Sequence, residues 1–228
     1  MVKIAISGKM ASGKSTVSKM LKEELGGEIV SIGSVIKPLA NLLIDNQSAF
    51  KLAFQQLNLG KGIEAEKEVE RILSYFNQKY EDANWVKSRD GGYLKNEPYR
   101  KLLQEFPSLV RKQLGEDVFV RSLLGMKGLH STEAYINDDM RLRGEKDYLE
   151  SVGFVTIRLD IDPKTQRERL KKNYGSVNEK SLNHITETDL DHESFHFRVS
   201  ATYFSAEEIV QNIIDYLNSI SIKQLIDT

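Results

Sequence analysis

The chain has 228 residues, 40% hydrophobic and 29% charged, which suits an ordinary globular protein with one sizeable core, or one core with a small inserted lobe. Its 32 basic and 33 acidic side chains leave a formal charge of −1, so no global field draws it to DNA or RNA and no nucleic-acid polymer is expected as a partner. It has no cysteine, which excludes disulfides and thiolate metal sites, and no apolar run near the ~20 residues that span a membrane, so no membrane partner is expected.

The first element, Val2-Lys3-Ile4-Ala5-Ile6-Ser7, reads as a buried strand that leaves no room for a signal peptide, and a cytoplasmic protein is expected. Gly8-Lys9-Met10-Ala11-Ser12-Gly13-Lys14-Ser15 then satisfies G-x-x-x-x-G-K-[ST], the phosphate-binding loop, with Thr16 and a helical pattern behind it. Glycines let such a backbone curl until its N–H groups surround phosphate oxygens, and the helix start at Ser15 adds its positive dipole end. Lys14 is placed to reach the β- and γ-phosphates and the Ser15 hydroxyl to join the Mg2+ shell. A nucleoside triphosphate, ATP, is the expected ligand.

Val17, Met20, Leu21 and Leu25 continue at helical spacing until Gly26-Gly27. Residues 28–32 read as a second strand, and Ser34 as the cap of a helix through Leu39, Leu42 and Leu43. Residues 46–98 are charged and weakly periodic, punctuated by Gly60, Gly62, Gly91 and Gly92; they predict helices and loops inserted over the mouth of the sheet within a single domain. A helix resumes near Tyr99, with Pro107 kinking or restarting it, and another carries Phe119, Val120, Leu123 and Leu124. Ala134-Tyr135-Ile136-Asn137 predicts a buried strand ending in Asp138-Asp139. Residues 153–159 predict the next strand and 195–199 the last, before a helix capped by Ser205. Strands alternating with helices give an α/β, three-layer fold of the P-loop NTPase type, a parallel sheet covered on both faces. Ligands gather at the carboxyl ends of such strands, where the loop and Asp138-Asp139 both lie.

The loop alone does not separate kinases from GTPases and ATPases. No Asn-Lys-x-Asp element for reading guanine is present, and the chain is short for a mechanical ATPase, which leaves a small-molecule kinase. Arg167-Glu168-Arg169-Leu170-Lys171-Lys172, after the fourth predicted strand, suits a mobile basic lid over residues 163–192, with Arg167 and Arg169 as candidate catalytic cations; a solvated helix face explains the same spacing.

Several blocks together resemble the phage deoxynucleoside monophosphate kinases, within the wider nucleoside monophosphate kinase group. They are the loop itself, Tyr99-Arg100-Lys101-Leu102-Leu103-Gln104 with Arg111 and Gly115-Glu116-Asp117, Ile136-Asn137-Asp138-Asp139-Met140-Arg141 with Glu145, and Thr186-Glu187-Thr188-Asp189-Leu190-Asp191. The chain departs from the family pattern at Ser200-Ala201, where an Asn is usual. The resemblance implies transfer of the γ-phosphate of ATP to a (deoxy)nucleoside monophosphate, and a host cytoplasm if the chain is phage-encoded. Lys37, Arg100, Arg111, Asp139 and Arg141 would then hold the acceptor, and Arg141 and Lys14 would serve catalysis. Asp138 or Asp139 would join Ser15 at Mg2+. A dephospho-CoA kinase of the same architecture and a non-kinase ATPase or switch module stay open as alternatives, as does a homodimer.

His192-Glu193-Ser194-Phe195-His196 spells H-E-x-x-H, but zinc chemistry needs that motif on a helix. Here it runs into a predicted strand, where residues four apart lie roughly 13 Å from one another. The aromatic stretch Tyr75, Phe76, Tyr80 and Trp85 reads as packing, with a base-stacking platform as the alternative.

Overall fold

A computed structural model describes residues 1–57, 59, 62–94, 96–128 and 134–226; Gly60, one of the predicted breaks, lies outside them. The predicted alternation resolves into a five-stranded sheet in the order β2-β3-β1-β4-β5, with every pairing parallel. The strands are β1 (Lys3–Gly8), β2 (Glu28–Ile29), β3 (Tyr135–Asn137), β4 (Val155–Asp160) and β5 (Phe197–Ser200). Central β1 is covered on both faces, which is why Ile4, Ala5 and Ile6 are continuously apolar and wholly buried. Its register sets Ala5 beside Asn137 on one side and Thr156 on the other. The carboxyl ends of β1 and β3 are therefore neighbours, and both polar turns leave the sheet at the same edge.

The chain forms two compact units, Met1–Ser31 with His130–Thr228, and Ile32–Leu129. The first holds the sheet with α1 (Lys14–Leu25) and, after the second unit, α7 (Arg143–Ser151), α8 (Pro163–Tyr174), α9 (Glu179–Leu182), α10 (Ile185–Thr188) and α11 (Ala206–Ile226). Val17 and Leu21 of α1 and Ile209 and Ile213 of α11 pack with Ile6 and Leu159 of the sheet. Gly26, at φ 63, ends α1 as predicted, and Ser205 caps α11: its hydroxyl accepts from Glu208 N–H, while the Glu208 carboxylate accepts from Ser205 N–H.

The second unit is helical among its described residues: α2 (Gly33–Asp45), α3 (Gln47–Gln56), α4 (Gly62–Tyr80), α5 (Glu97–Leu114) and α6 (Val118–Lys127), with one antiparallel bridge, Lys87 to Tyr93. Its core joins aliphatic side chains such as Leu39, Leu43 and Ile72 to a series of aromatic rings. Phe50 meets Phe54 and Phe106 at 5.7 and 5.8 Å between ring centroids, and Phe106 meets Phe119 at 6.2 Å. No described helix is long and apolar enough to cross a membrane.

Local expectations shift in three places. The second strand is shorter than residues 28–32, because Ser31 turns out of the ladder to bond Asp139. The next helix starts at Gly33 with Ile32 as its cap residue, so Ser34 lies inside the first turn and does not cap it. Pro107 neither ends nor restarts its helix: α5 runs through it for 18 residues, with Asn96 capping its start by accepting from Tyr99 N–H.

Candidate functional site

The loop between β1 and α1 is set by backbone requirements at particular residues. A side chain at Gly8 would lie 2.5 Å from Ser12 Oγ and 2.9 Å from the Leu159 carbonyl, so only glycine fits beside β4. Gly13 takes φ 92 and Ala11, exceptionally for a residue with a Cβ, takes φ 62. That left-handed alanine stores about 1 kcal/mol of strain, tolerable where a curled loop needs its amides facing inward. Ser15 and Thr16 are exposed at the start of α1.

Lys14 is buried under this loop, its Nζ donating to the carbonyls of Gly8 at 2.5 Å and Lys9 at 3.0 Å. Burial, and then repulsion from Arg141, pull its pKa down to about 8. An ammonium so placed is destabilised by burial and by a like charge nearby.

At the end of β3, Ser31 lies beside both aspartates. Asp139 accepts from the Ser31 hydroxyl at 2.9 Å and from Asn137 Nδ2 at 3.4 Å. Asn137 is itself anchored on the Val30 carbonyl. Asp138 has a buried Oδ1 with no hydrogen-bond partner, and burial, followed by the Asp139 charge, raises its pKa above the usual carboxylate value.

Arg141 leaves the next turn with its amide fixed: Glu145, wholly buried, accepts from the N–H groups of Arg141 and Leu142 at 2.9 and 3.2 Å. The Arg141 guanidinium pairs with Glu187 of α10, whose other oxygen accepts from Met10 N–H at 2.6 Å. Four residues on, Asp191 pairs with Lys9 at 2.8 Å and with Arg158 at 2.7 Å. Arg158, buried in β4, also donates to Ser7 Oγ at 2.8 Å. One network thus joins the loop, the β3 turn and residues 187–191.

The two predicted lid arginines part company on α8. Arg169 donates to the Ala11 carbonyl at 3.2 Å and to the Ala201 carbonyl at 2.7 Å, and Gln166 donates to the Met10 carbonyl at 3.1 Å. Arg167 is exposed and gripped by Glu179 at 3.0 and 3.1 Å, tying α8 to α9. The remaining predicted acceptor residues belong to the helical unit: Lys37 is exposed on α2, Arg100 is exposed on α5, and half-buried Arg111 lies over the Phe119 ring at 5.2 Å. Arg100 and Arg111 share one face of α5 but sit three turns apart, about 16 Å along the axis.

His192 lies in a turn and His196 just ahead of β5, with the His196 ring against Thr156. Phe76, Tyr80 and Trp85 pack on one another at 5.5–6.0 Å and border a cavity of about 590 Å³. Sequence reading missed Glu187, Asp191, Arg158 and Gln166 as site residues. Arg158 carried an unused signal, a cation inside an apolar strand that demands a buried partner, and Glu187 and Asp191 lay in a block that carries the family resemblance without a role assigned to them.

No protein-family model matches the sequence, and no curated protein matches it. Among solved structures, a gluconokinase from Sinorhizobium meliloti superposes with a TM-score of 0.51 at 14% identity, over 100% of this chain and 97% of that one. TT1252 from Thermus thermophilus gives 0.52 at 14% identity over 96% of each chain. These likenesses establish the three-layer α/β fold.

Proposed function

We propose that the chain is a P-loop phosphotransferase that moves the γ-phosphoryl group of ATP to a (deoxy)nucleoside monophosphate. The observation that carries this reading is the buried anion position itself. Met10 N–H and Arg141 converge on one carboxylate directly beside a lysine held short of charge. Such an arrangement suits polyphosphate, whose oxygens satisfy all three groups at once. The fold shared with a gluconokinase agrees with a small-molecule phosphotransferase.

The residues also fit a divalent cation. Ser15, exposed at the start of α1, and Asp138, with its orphaned oxygen, would hold Mg2+, while Asp139 is engaged by Ser31 and orients the turn. When bound, Mg2+ neutralises charge shared between the β- and γ-phosphates. Lys14 exchanges the Gly8 and Lys9 carbonyls for phosphate oxygens. An anionic oxygen of the acceptor monophosphate attacks the γ-phosphorus in line, and the bond from γ-phosphorus to the bridging oxygen breaks to release ADP. The acceptor oxygen is already ionised near neutral pH, so no general base is required. Arg141 neutralises the phosphoryl oxygens as charge spreads over them, and Arg169 braces the loop from α8. Arg100 and Arg111 are proposed acceptor ligands on the strength of the sequence block that carries them, and Lys37 as a cation on the helix after the second strand.

A coupled assay of ADP formation across the common ribo- and deoxyribonucleoside monophosphates, dephospho-CoA and gluconate tests the reading. ADP formation that depends on a monophosphate supports it. Turnover only with dephospho-CoA or gluconate reassigns the acceptor, and hydrolysis with no acceptor at all, stimulated by a protein partner, points to a switch module.

A further inference from the structure

Glu187 belongs to α10, a single helical turn, yet its side chain is only 3% exposed. Its two carboxylate oxygens are divided between a backbone amide of the phosphate loop and the Arg141 guanidinium. The oxygens of a phosphoryl group are spaced much as those of a carboxylate are, so whatever replaces Glu187 there meets the same two donors. The surrounding segment is tethered at several further points. Asp189 accepts from Arg143 N–H at 2.7 Å, Asp191 spans Lys9 and Arg158, and Glu193 pairs with Arg143 at 2.7 Å. Residues 187–193 thus lay a row of carboxylates along the cations and amides around the loop. A second anion placed beside Glu187 would meet like-charge repulsion and find its donors taken.

We propose that Glu187 is a resident occupant of the terminal-phosphoryl position, and that the γ-phosphoryl group of a nucleoside triphosphate enters by displacing it and inheriting both Met10 N–H and Arg141. The proposal rests on the reading of Gly8–Ser15 as a triphosphate site. It gives Glu187 two consequences. The empty site stays charge-balanced, because Arg141 never lacks a partner. A diphosphate, which has no terminal phosphoryl group, leaves Glu187 in place, so the carboxylate discriminates between triphosphate and diphosphate.

The test is calorimetric titration of wild type and Glu187→Gln with a non-hydrolysable imido analogue of ATP and with ADP, both with Mg2+. Glutamine keeps the shape and removes the charge. The triphosphate analogue should bind about tenfold more tightly to the variant, with ADP changed by less than about twofold. Weaker binding of the analogue, or equal tightening of both nucleotides, overturns the proposal, because the carboxylate would then support the loop and not compete for it. If wild type binds both nucleotides and Lys14→Ala binds neither, the loop assignment stands whatever Glu187→Gln does; if wild type binds neither, both fall. Should Glu187→Gln fail to fold, amide hydrogen exchange on wild type decides. Residues 184–193 should exchange faster with the triphosphate analogue than with ADP, and slowing by the analogue overturns displacement.

Discussion

In the sheet unit the buried charge is concentrated at the carboxyl ends of the strands, where Lys14, Arg141, Arg158, Glu187 and Asp191 answer one another. In the helical unit the core is apolar, with Phe50, Phe54, Phe106 and Phe119 among aliphatic side chains, and local donors close off one of its carboxylates. Glu105 is that carboxylate: burial opposes its ionised form, but hydrogen bonds from Lys79, Tyr80 and Tyr75 outweigh that and hold its pKa below the usual range. The sheet unit instead keeps a lysine with a depressed pKa and an aspartate oxygen with nothing bound to it. A set of polar groups that satisfies itself is architecture. One that keeps an unbonded oxygen at Asp138 and a buried lysine with a lowered pKa at Lys14 is where the proposed Mg2+ and triphosphate would bind.

The sharpest break of this comparison is Lys14→Ala. It should lower phosphoryl transfer by at least about a thousandfold while thermal unfolding and circular dichroism stay those of wild type. Undiminished turnover would remove the loop from catalysis. Asp138→Asn should follow, with a loss of about a hundredfold or more in Mg2+-dependent rate and a much smaller loss for Asp139→Asn; the reverse order would make Asp139 the metal ligand. In the helical unit Phe106→Ala should act on stability instead, costing about 3–5 kcal/mol by denaturant unfolding, because Phe106 touches both Phe50 and Phe119. Below its unfolding transition the variant should retain most of its rate, and a lost rate with unchanged stability would give this core a catalytic role.

Lys14 also fixes a pH dependence. Its free-site pKa is about 8 and phosphate binds the protonated form, so triphosphate affinity should be complete below pH 8 and fall as pH rises through it, by up to about tenfold per unit. A flat titration profile from pH 7 to 9.5 would contradict the placement of Lys14 against the phosphates. The smallest contrast lies on α8. Arg169→Ala, which releases the Ala11 carbonyl, should reduce the rate more than Arg167→Ala, which frees an exposed, solvent-screened pair. Equal losses would restore a shared lid role to both.

How legible each unit was in the sequence follows from where its determinants lie along the chain. The phosphate loop is eight contiguous residues with a strand before it and a helix behind, so local rules suffice, and Ala134–Asp139 is read by the same logic. Glu187 meets Met10 across 177 positions, and although it stands in a block that resembles the family, nothing local to that block shows which residue it meets. Arg158 did carry one, but its partners Ser7 and Asp191 come from different elements. In the helical unit the helices through Leu39, from Tyr99 and through Phe119 are legible, while residues 46–98 read only as helices and loops. Its core closes through Phe50, Phe54, Phe106 and Phe119 from three helices and a capped helix that tolerates Pro107, none of which periodicity within one segment announces. Even Ser34 shows the limit: a good capping residue stands one position inside a helix that begins without it.

Following the label from γ-labelled ATP decides whether Gly8–Ser15 delivers a phosphoryl group to a monophosphate. Label should appear in a nucleoside or deoxynucleoside diphosphate with wild type and not with Lys14→Ala. Label found only in inorganic phosphate, or label transfer that survives Lys14→Ala, would contradict it.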